Sequence, residues 1–131
     1  MTKQIRKEPC SSCPYRKDVP SGVWAENEYE KLVDFDLPTG DQPIATFGCH
    51  ATPEHYCHGW AVVHSNRGSE YELLALRIFA PDVEIPEAAV PLFESGEEAA
   101  NHGKRDIDHP SVEAQRTADR LMGKYERLQW G

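Results

Sequence analysis

The spacing of apolar residues predicts three helices. Trp24, Tyr29, Leu32 and Val33 recur at helical intervals and predict a short helix over 24–35. Ser69-x-x-Glu72 has the form of a capping box before an apolar run that ends at Pro81, which predicts a helix over about 70–79. The clearest stripe predicts an amphipathic helix over about 111–129, and its members are Ala114, Ala118, Leu121, Met122, Tyr125 and Leu128.

The remaining segments show weaker periodicity. The run 44–47 is short and apolar and predicts a strand, whereas 57–64 fits either a helix or a strand. Residues 8–22 contain three prolines and predict a loop, and the acidic stretch 82–109 predicts at most a broken helix within 86–100. The pattern predicts a mainly α fold with a few short strands and long loops.

Length and composition limit this fold to one small domain. The chain has 131 residues, of which 39% are hydrophobic and ten are prolines. A single domain over 1–131 with an N-terminal arm, residues 1–22, has little apolar area to bury, so a metal centre that clasps it would add stability. No apolar run reaches the length of a membrane span, and residues 1–8 lack the apolar part of a secretory signal. We therefore expect a cytoplasmic protein without membrane contact.

Charge is distributed unevenly along the chain. The formal net charge is −8, which disfavours a non-specific grip on nucleic acid. Residues 1–17 carry five basic residues against Glu8, whereas 70–98 carry eight acids against Arg77 alone. An acidic surface of this kind is usually only solvated, but it also fits a basic protein partner.

The four cysteines carry the strongest chemical signal: Cys10, Cys13, Cys49 and Cys57. A C-x2-C pair lets two thiolates converge on one ion from a tight turn, and a loop would bring the wider C-x7-C pair together. In a reducing cytoplasm, clustered cysteines indicate metal ligands before disulfides. A redox-active Cys10–Cys13 dithiol and separate buried thiols are the alternatives. Flanking Pro9 and Pro14 disfavour the dithiol, which would need a strand before it and a helix after it.

Four thiolates suit either tetrahedral zinc or a 4Fe–4S cluster. The segment Cys10-Ser11-Ser12-Cys13-Pro14-Tyr15-Arg16, followed by Gly22-Val23-Trp24, resembles the cluster loop and glycine–tryptophan turn of the WhiB-like actinobacterial regulators. That resemblance covers about fifteen residues, and no cysteine stands near Asp18 where that family has one. It implies a 4Fe–4S cluster, which the sequence favours slightly over zinc.

A broader resemblance covers about residues 9–80. The combination of Cys10-x2-Cys13-Pro14-Tyr15-Arg16, Cys49-His50 and Cys57-x-Gly59-Trp60 is similar to an uncharacterised family of small proteins from actinobacteria and their phages. This resemblance implies a bacterial host cytoplasm and a cysteine-bound centre. It implies no activity.

Several residues near the cysteines are candidates for supporting roles. His50 and His58 each follow a cysteine directly, so either is an alternative ligand or a donor to a sulfur. Arg16 would offset thiolate charge or form a surface ion pair. Trp24, Phe47 and Trp60 are predicted to form an apolar cover over the centre, in addition to being ordinary core residues.

No catalytic residues are predicted, because the P-loop, G-x-S-x-G and H-E-x-x-H motifs are absent from the sequence. A closed four-thiolate shell also leaves no open metal position for hydrolysis. The leading hypothesis is a non-enzymatic accessory or regulatory factor that binds a protein, of phage or bacterial origin. The alternatives are a redox or oxygen-sensing iron–sulfur protein and a nucleic-acid-processing enzyme with a structural cluster.

Overall fold

The computed structural model of the chain describes residues 3–49 and 51–130, with side chains described as far as Leu121. Its helices are α1 Glu26–Asp34, α2 His58–Ser65, α3 Leu74–Phe79, α4 Gly96–Arg105 and α5 Val112–Trp130. Single 3-10 turns lie at Thr39–Asp41 and Ser69–Tyr71. The predicted mainly α class is confirmed. None of the described helices is long and apolar enough to cross a membrane.

Two of the predicted helices are present with nearly the expected limits, and the ambiguous segment is also a helix. The segments 24–35 and 111–129 form α1 and α5, and the segment 57–64 forms α2. Seven of the eight residues of α2 are buried. A helix that is covered on every side has no polar face, so its sequence has no amphipathic period from which a helix can be told from a strand.

The predicted strand over 44–47 is wrong. Ile44 is 64% exposed, and the pairing nearby is reduced to isolated bridges at Gly48–Tyr56 and Ile5–Tyr56. Pro43 lacks an N–H group, which prevents it from joining a ladder just before this run. The expectation of a broken helix over 86–100 is right only for its end, because α4 begins at Gly96 after an irregular segment.

The predicted capping box at Ser69 and Glu72 is also wrong. Ser69–Tyr71 forms a 3-10 turn behind Gly68, whose φ is +113°, and α3 begins later, at Leu74. The backbone N–H of Leu74 donates instead to Oε1 of Gln42 at 3.0 Å. The cap of α3 therefore comes from a loop 32 residues earlier, which a local motif cannot reveal.

Helices α1 and α4 pack closely and fix the frame around α2. Gly103 faces the ring of Tyr29 so closely that a Cβ atom would overlap it, which explains a glycine within α4. Asp36, just beyond α1, accepts hydrogen bonds from the backbone N–H groups of Gly96 and Glu97 at 2.8 and 2.7 Å. Its carboxylate thus caps the positive end of α4. A small second core of Val19, Val23 and Ala114 joins α5 to the N-terminal arm.

Candidate metal centre

The first cysteine pair lies on two consecutive tight turns. The backbone N–H of Cys13 donates to the carbonyl of Cys10 at 3.1 Å, and that of Arg16 donates to the carbonyl of Cys13 at 3.1 Å. The indole N–H of Trp24 donates to the carbonyl of Ser12 at 2.9 Å and holds the turn from outside. The predicted proline-flanked loop is therefore fixed at several points.

The second pair closes a loop, as its wider spacing predicts. The backbone N–H of Cys49 donates to the carbonyl of His55 at 2.9 Å, and that of Cys57 donates to the carbonyl of Phe47 at 2.8 Å. The N-terminal arm runs beside this loop, because the N–H of Arg6 donates to the carbonyl of Tyr56 at 3.0 Å. The pairing of arm and loop brings residues some forty positions apart into one cluster.

All four cysteines are free thiols in one core cluster, where they are 1–5% exposed. The sulfurs of Cys13 and Cys57 are 3.9 Å apart. Cys10 and Cys49 form the other hydrogen-bonded pair. The closest partners are thus one cysteine from the arm and one from the loop in each pair. The dithiol alternative would instead pair Cys10 with Cys13.

In each pair, the interaction between the two thiols lowers the pKa of one and raises the pKa of the other. The Cys10 thiol lowers the pKa of Cys49 to about 3, whereas the same hydrogen bond together with burial raises the pKa of Cys10. The Cys57 thiol lowers the pKa of Cys13, and the pKa of Cys57 is raised by that hydrogen bond and by burial. Two of the four sulfurs are therefore stabilised as thiolates, the form that binds metals.

Backbone amides favour the anionic form at every one of the four sulfurs. The amides of Tyr15 and Gly59 lower the pKa of Cys13. The amide of Trp60 lowers the pKa of Cys57, and the amide of Thr52 lowers that of Cys49. The amide of Ser12 lowers the pKa of Cys10. Gly59 lies in the first turn of α2, so the positive end of that helix faces the sulfurs.

The thiols form two adjacent pairs rather than one closed shell. Among residues 3–49 and 51–130, no group of three or more Cys, His, Asp or Glu side chains is arranged to hold a metal ion. Charge still couples the two pairs, since Cys13 raises the pKa of Cys10 and Cys10 raises that of Cys57. The donor set has the chemistry of a four-thiolate site, and its two halves would have to close together on an ion.

A basic residue that we did not predict contacts the thiols. The guanidinium of Arg6 donates to Sγ of Cys49 at 3.4 Å. Arg16, the residue expected near the thiolates, instead forms two hydrogen bonds of 2.7 Å with the carboxylate of Asp18 and reaches the carbonyls of Pro9 and Cys10 at 3.5 and 3.4 Å. Asp18 raises the pKa of Arg16 most, and Cys13 and Cys10 raise it further, so Arg16 forms the ion pair and also lies within electrostatic reach of the thiols.

Two histidines, His50 and His58, each follow a cysteine directly in the sequence. His50 lies outside the described residues. His58 is 1% exposed, and its Nδ1 lies 2.9 Å from the carbonyl oxygen of Arg6. Because a carbonyl only accepts, Nδ1 carries the proton, and buried Nε2 keeps its lone pair without a partner in the described structure. Metal-ligating and supporting histidines both use this arrangement, so both roles remain predictions for His58.

The three residues predicted to cover the centre lie in or against the core cluster that contains the cysteines. Trp60 is fully buried in the same cluster as the cysteines, and Phe47 is 9% exposed there. Trp24 packs against that cluster from its edge. The ring of Trp60 meets those of Phe35 and Tyr56 at centroid distances of 5.6 and 6.1 Å. The cysteines themselves are 1–5% exposed, and burial of that degree strengthens electrostatic interactions.

Two further features were not predicted from the sequence. A Cβ atom on Gly59 would lie 2.6 Å from Cβ of Tyr15 and 2.8 Å from Sγ of Cys13, so only glycine fits there. The hydroxyl of fully buried Tyr15 lies 2.8 Å from Nε2 of His64, and Nδ1 of His64 faces Asp36 at 3.4 Å. Gly59 and Tyr15 stand within the cysteine motif and His64 stands shortly after it, but the motif alone does not show what these residues contact.

Comparison with known proteins identifies one relationship. A family model described as a family of unknown function, DUF6283, matches residues 5–116 and so includes all four cysteines. No curated protein and no solved structure matches the chain.

Proposed function

The chain belongs to DUF6283, a family of unknown function, and we propose that it is a small metalloprotein in which four thiolates hold one structural metal ion. The observation that carries the proposal is the convergence of every cysteine of the chain in one buried cluster. Each sulfur there is favoured as a thiolate by a backbone amide. Four buried thiolates so close together would repel one another, and a cation between them would offset that repulsion.

The sulfur separation favours a single zinc ion over a cluster. Zn–S bonds of about 2.3 Å place the sulfurs of a tetrahedral site about 3.8 Å apart, and the sulfurs of Cys13 and Cys57 are 3.9 Å apart. In a 4Fe–4S cluster each cysteine binds a different iron, which holds the ligand sulfurs farther apart. The cluster that the WhiB-like resemblance favours is therefore the alternative occupant.

The ion would act as a clasp. Its ligands come from the N-terminal arm and from the loop that leads into α2, two segments that otherwise meet through few backbone hydrogen bonds. Binding would expel the protons of Cys10 and Cys57, and the Arg6 guanidinium would offset part of the net −2 charge of a zinc site with four thiolates. A buried, fully ligated ion has no position for a substrate, so we propose a non-enzymatic role as an accessory or regulatory protein-binding factor.

Metal analysis tests the centre. The full chain is purified without oxygen, and its zinc and iron are measured by mass spectrometry. We expect about one zinc per chain and a colourless protein. A brown protein with about four irons per chain would show that the centre is a 4Fe–4S cluster and not a zinc ion. A folded chain without metal whose thiols react freely would overturn the proposal.

Paired substitutions separate one centre from two independent thiol pairs. One double variant changes Cys10 and Cys49 to serine, and the other changes Cys13 and Cys57. If one ion uses all four thiolates, either variant loses the metal completely. If one variant keeps its metal with unchanged affinity, the pairs act separately and the shared centre is wrong.

A further inference from the structure

Two open cavities lie side by side next to α2 and α3. The first has a volume of about 540 Å³ and lies between α3 and the segment after it, against residues such as Leu76, Ala80 and Ile85. The second, of about 520 Å³, lies between α2 and the next part of that segment, against Val62, Val90 and Phe93. Asn66 and Ala88 line both, so the two cavities adjoin, and we refer to them together as the groove.

The outer wall of this groove is an irregular segment, residues 82–94, which we name the acidic strap. None of its thirteen residues is buried. It is nevertheless held near both ends. The N–H of Val83 donates to the carbonyl of Ala80 at 3.1 Å, and that of Phe93 donates to the carbonyl of Tyr15 at 2.9 Å. Pro86 and Pro91 stiffen it further, so the groove is preformed and binding would lose little conformational entropy.

The strap carries negative charge without local compensation. Its acidic residues are all exposed: Asp82, Glu84, Glu87 and Glu94. In the described part of the chain, none of the four forms an ion pair. The two arginines that line the groove are already engaged, since Arg77 pairs with Glu72 at 2.5 Å and Arg67 pairs with Asp36 at 3.5 Å. A groove with both apolar and polar lining and an unneutralised acidic rim fits an amphipathic ligand with basic flanks.

We propose that this groove binds a basic amphipathic segment of a partner protein. Two apolar side chains would fill the adjoining cavities, and Lys or Arg residues beside them would face the strap carboxylates. Two cavities in a row favour a chain with two anchors over one compact molecule. The inference deepens the proposed role as a protein-binding factor and rests on it, but the groove and the thiols use different residues.

The test uses a defined peptide and two neighbouring alanines. The probe is a fluorescent amphipathic helix of roughly 14 residues, with leucines on one face and lysines beside them. Ala88→Tyr fills the point that both cavities share, and Ala89→Tyr adds the same bulk to an exposed neighbour outside the lining of either cavity. We expect Ala88→Tyr to weaken binding by at least about tenfold and Ala89→Tyr to match the wild type.

Charge is tested in the same assay. A peptide with glutamates in place of the lysines should bind at least about tenfold more weakly. The double variant Glu84→Lys and Glu87→Lys should lose affinity for the basic peptide, whereas Glu26→Lys with Glu30→Lys, on the exposed face of α1, should not. Affinity should also fall as salt is raised from about 0.05 to 0.5 M.

Four outcomes would overturn the inference. They are equal binding by all variants, equal binding of the acidic peptide, equal binding of polylysine without apolar residues, and a dimer that Ala88→Tyr converts to a monomer. The last would make a second copy of this chain the occupant. Metal content is measured on every sample. Failure of the wild type to bind the peptide while it retains metal therefore counts against the groove alone, and absence of metal from the wild type counts against the centre.

Discussion

Helix α2 and the acidic strap lie on opposite sides of the same groove, and water reaches them very differently. Seven of the eight residues of α2 are buried, including Trp60 and His64 with no exposure, whereas no residue of the strap is buried. Amides in the first turn of α2 contact the thiols of Cys13 and Cys57, while the strap presents four carboxylates to solvent. Both regions thus concentrate negative charge, but that charge is buried beside α2 and exposed to solvent on the strap.

The difference indicates how the two charges are balanced. Buried thiolates need backbone amides, Arg6 and, as we propose, a metal ion within the protein itself. Exposed carboxylates are stabilised by water, and the balancing charge has to come from a partner. Substitutions near α2 should therefore change the stability of the fold, and substitutions on the strap should mainly change binding.

The largest effect is expected from Cys57→Ser. The substitution removes a ligand and leaves a polar group at a site that is 4% exposed. Because metal binding contributes directly to folding, we expect the free energy of unfolding to fall by about 5 kcal/mol or more. Chemical denaturation measures it. The control is the wild type stripped by a chelator, which should become about as unstable as the variant. A stable variant beside an unstable stripped wild type would show that Cys57 is no ligand.

A smaller but still large effect is expected from Gly59→Ala. The new methyl group would lie 2.8 Å from Sγ of Cys13 and 2.6 Å from Cβ of Tyr15, and neither neighbour is free to move within the core. We expect a loss of about 4 kcal/mol in unfolding free energy. The matched control is Gly40→Ala, whose Cβ has no neighbour within 4 Å and should change stability by less than about 0.5 kcal/mol. Equal effects at both glycines would contradict the close packing at α2.

The next effect is a dependence of stability on pH through His64. Burial lowers the pKa of His64 to about 4, Asp36 opposes that shift, and Arg67 adds to it. An unfolded histidine titrates near 6.5, so between about pH 6.5 and 4 the native state binds fewer protons than the unfolded state. Stability should therefore fall as pH falls through this window, by up to about 3 kcal/mol.

Comparing variants isolates that effect from any release of metal at low pH. His64→Gln should show a shallower loss of stability between pH 7 and 4.5 than the wild type, measured by chemical denaturation. His109→Gln, which changes an exposed histidine, should follow the wild type. If all three proteins lose stability in parallel, His64 does not carry the pH dependence.

These expectations use contacts that the sequence reveals only in part. The amphipathic stripe of α5 was predictable because one face meets a core and the other meets water. The meeting of the cysteines also followed from their spacing. By contrast, the helix over α2 was ambiguous, because burial on all sides removes the period that distinguishes helix from strand.

Contacts between distant segments account for the remaining differences. Arg16 stands three residues after Cys13 and was a candidate for a counter-charge or for a surface ion pair. The arginine that donates to a thiol is Arg6, which contacts Cys49 because the arm pairs with the loop at Tyr56. Likewise, Gln42 caps α3 from a distant loop in place of the local capping box. Neither contact can be read from the residues next to it in the sequence, since each depends on how the arm and the loops cross in three dimensions.

The smallest effect compares α2 and the strap most directly. Val62 and Val90 line the same cavity. Val62 belongs to α2 and is 2% exposed, whereas Val90 belongs to the strap and is half-buried. Val→Ala removes the same atoms at both sites. At Val62 the removal leaves a cavity among packed neighbours, whereas at Val90 water can fill the space. We expect Val62→Ala to cost about 1–2 kcal/mol in unfolding free energy and Val90→Ala less than about 0.5 kcal/mol. Binding of the basic peptide should show the reverse order, because Val90 belongs to the exposed wall that a ligand would cover. Equal losses of stability at both valines would mean that the strap is part of the core and that its groove is a packing defect.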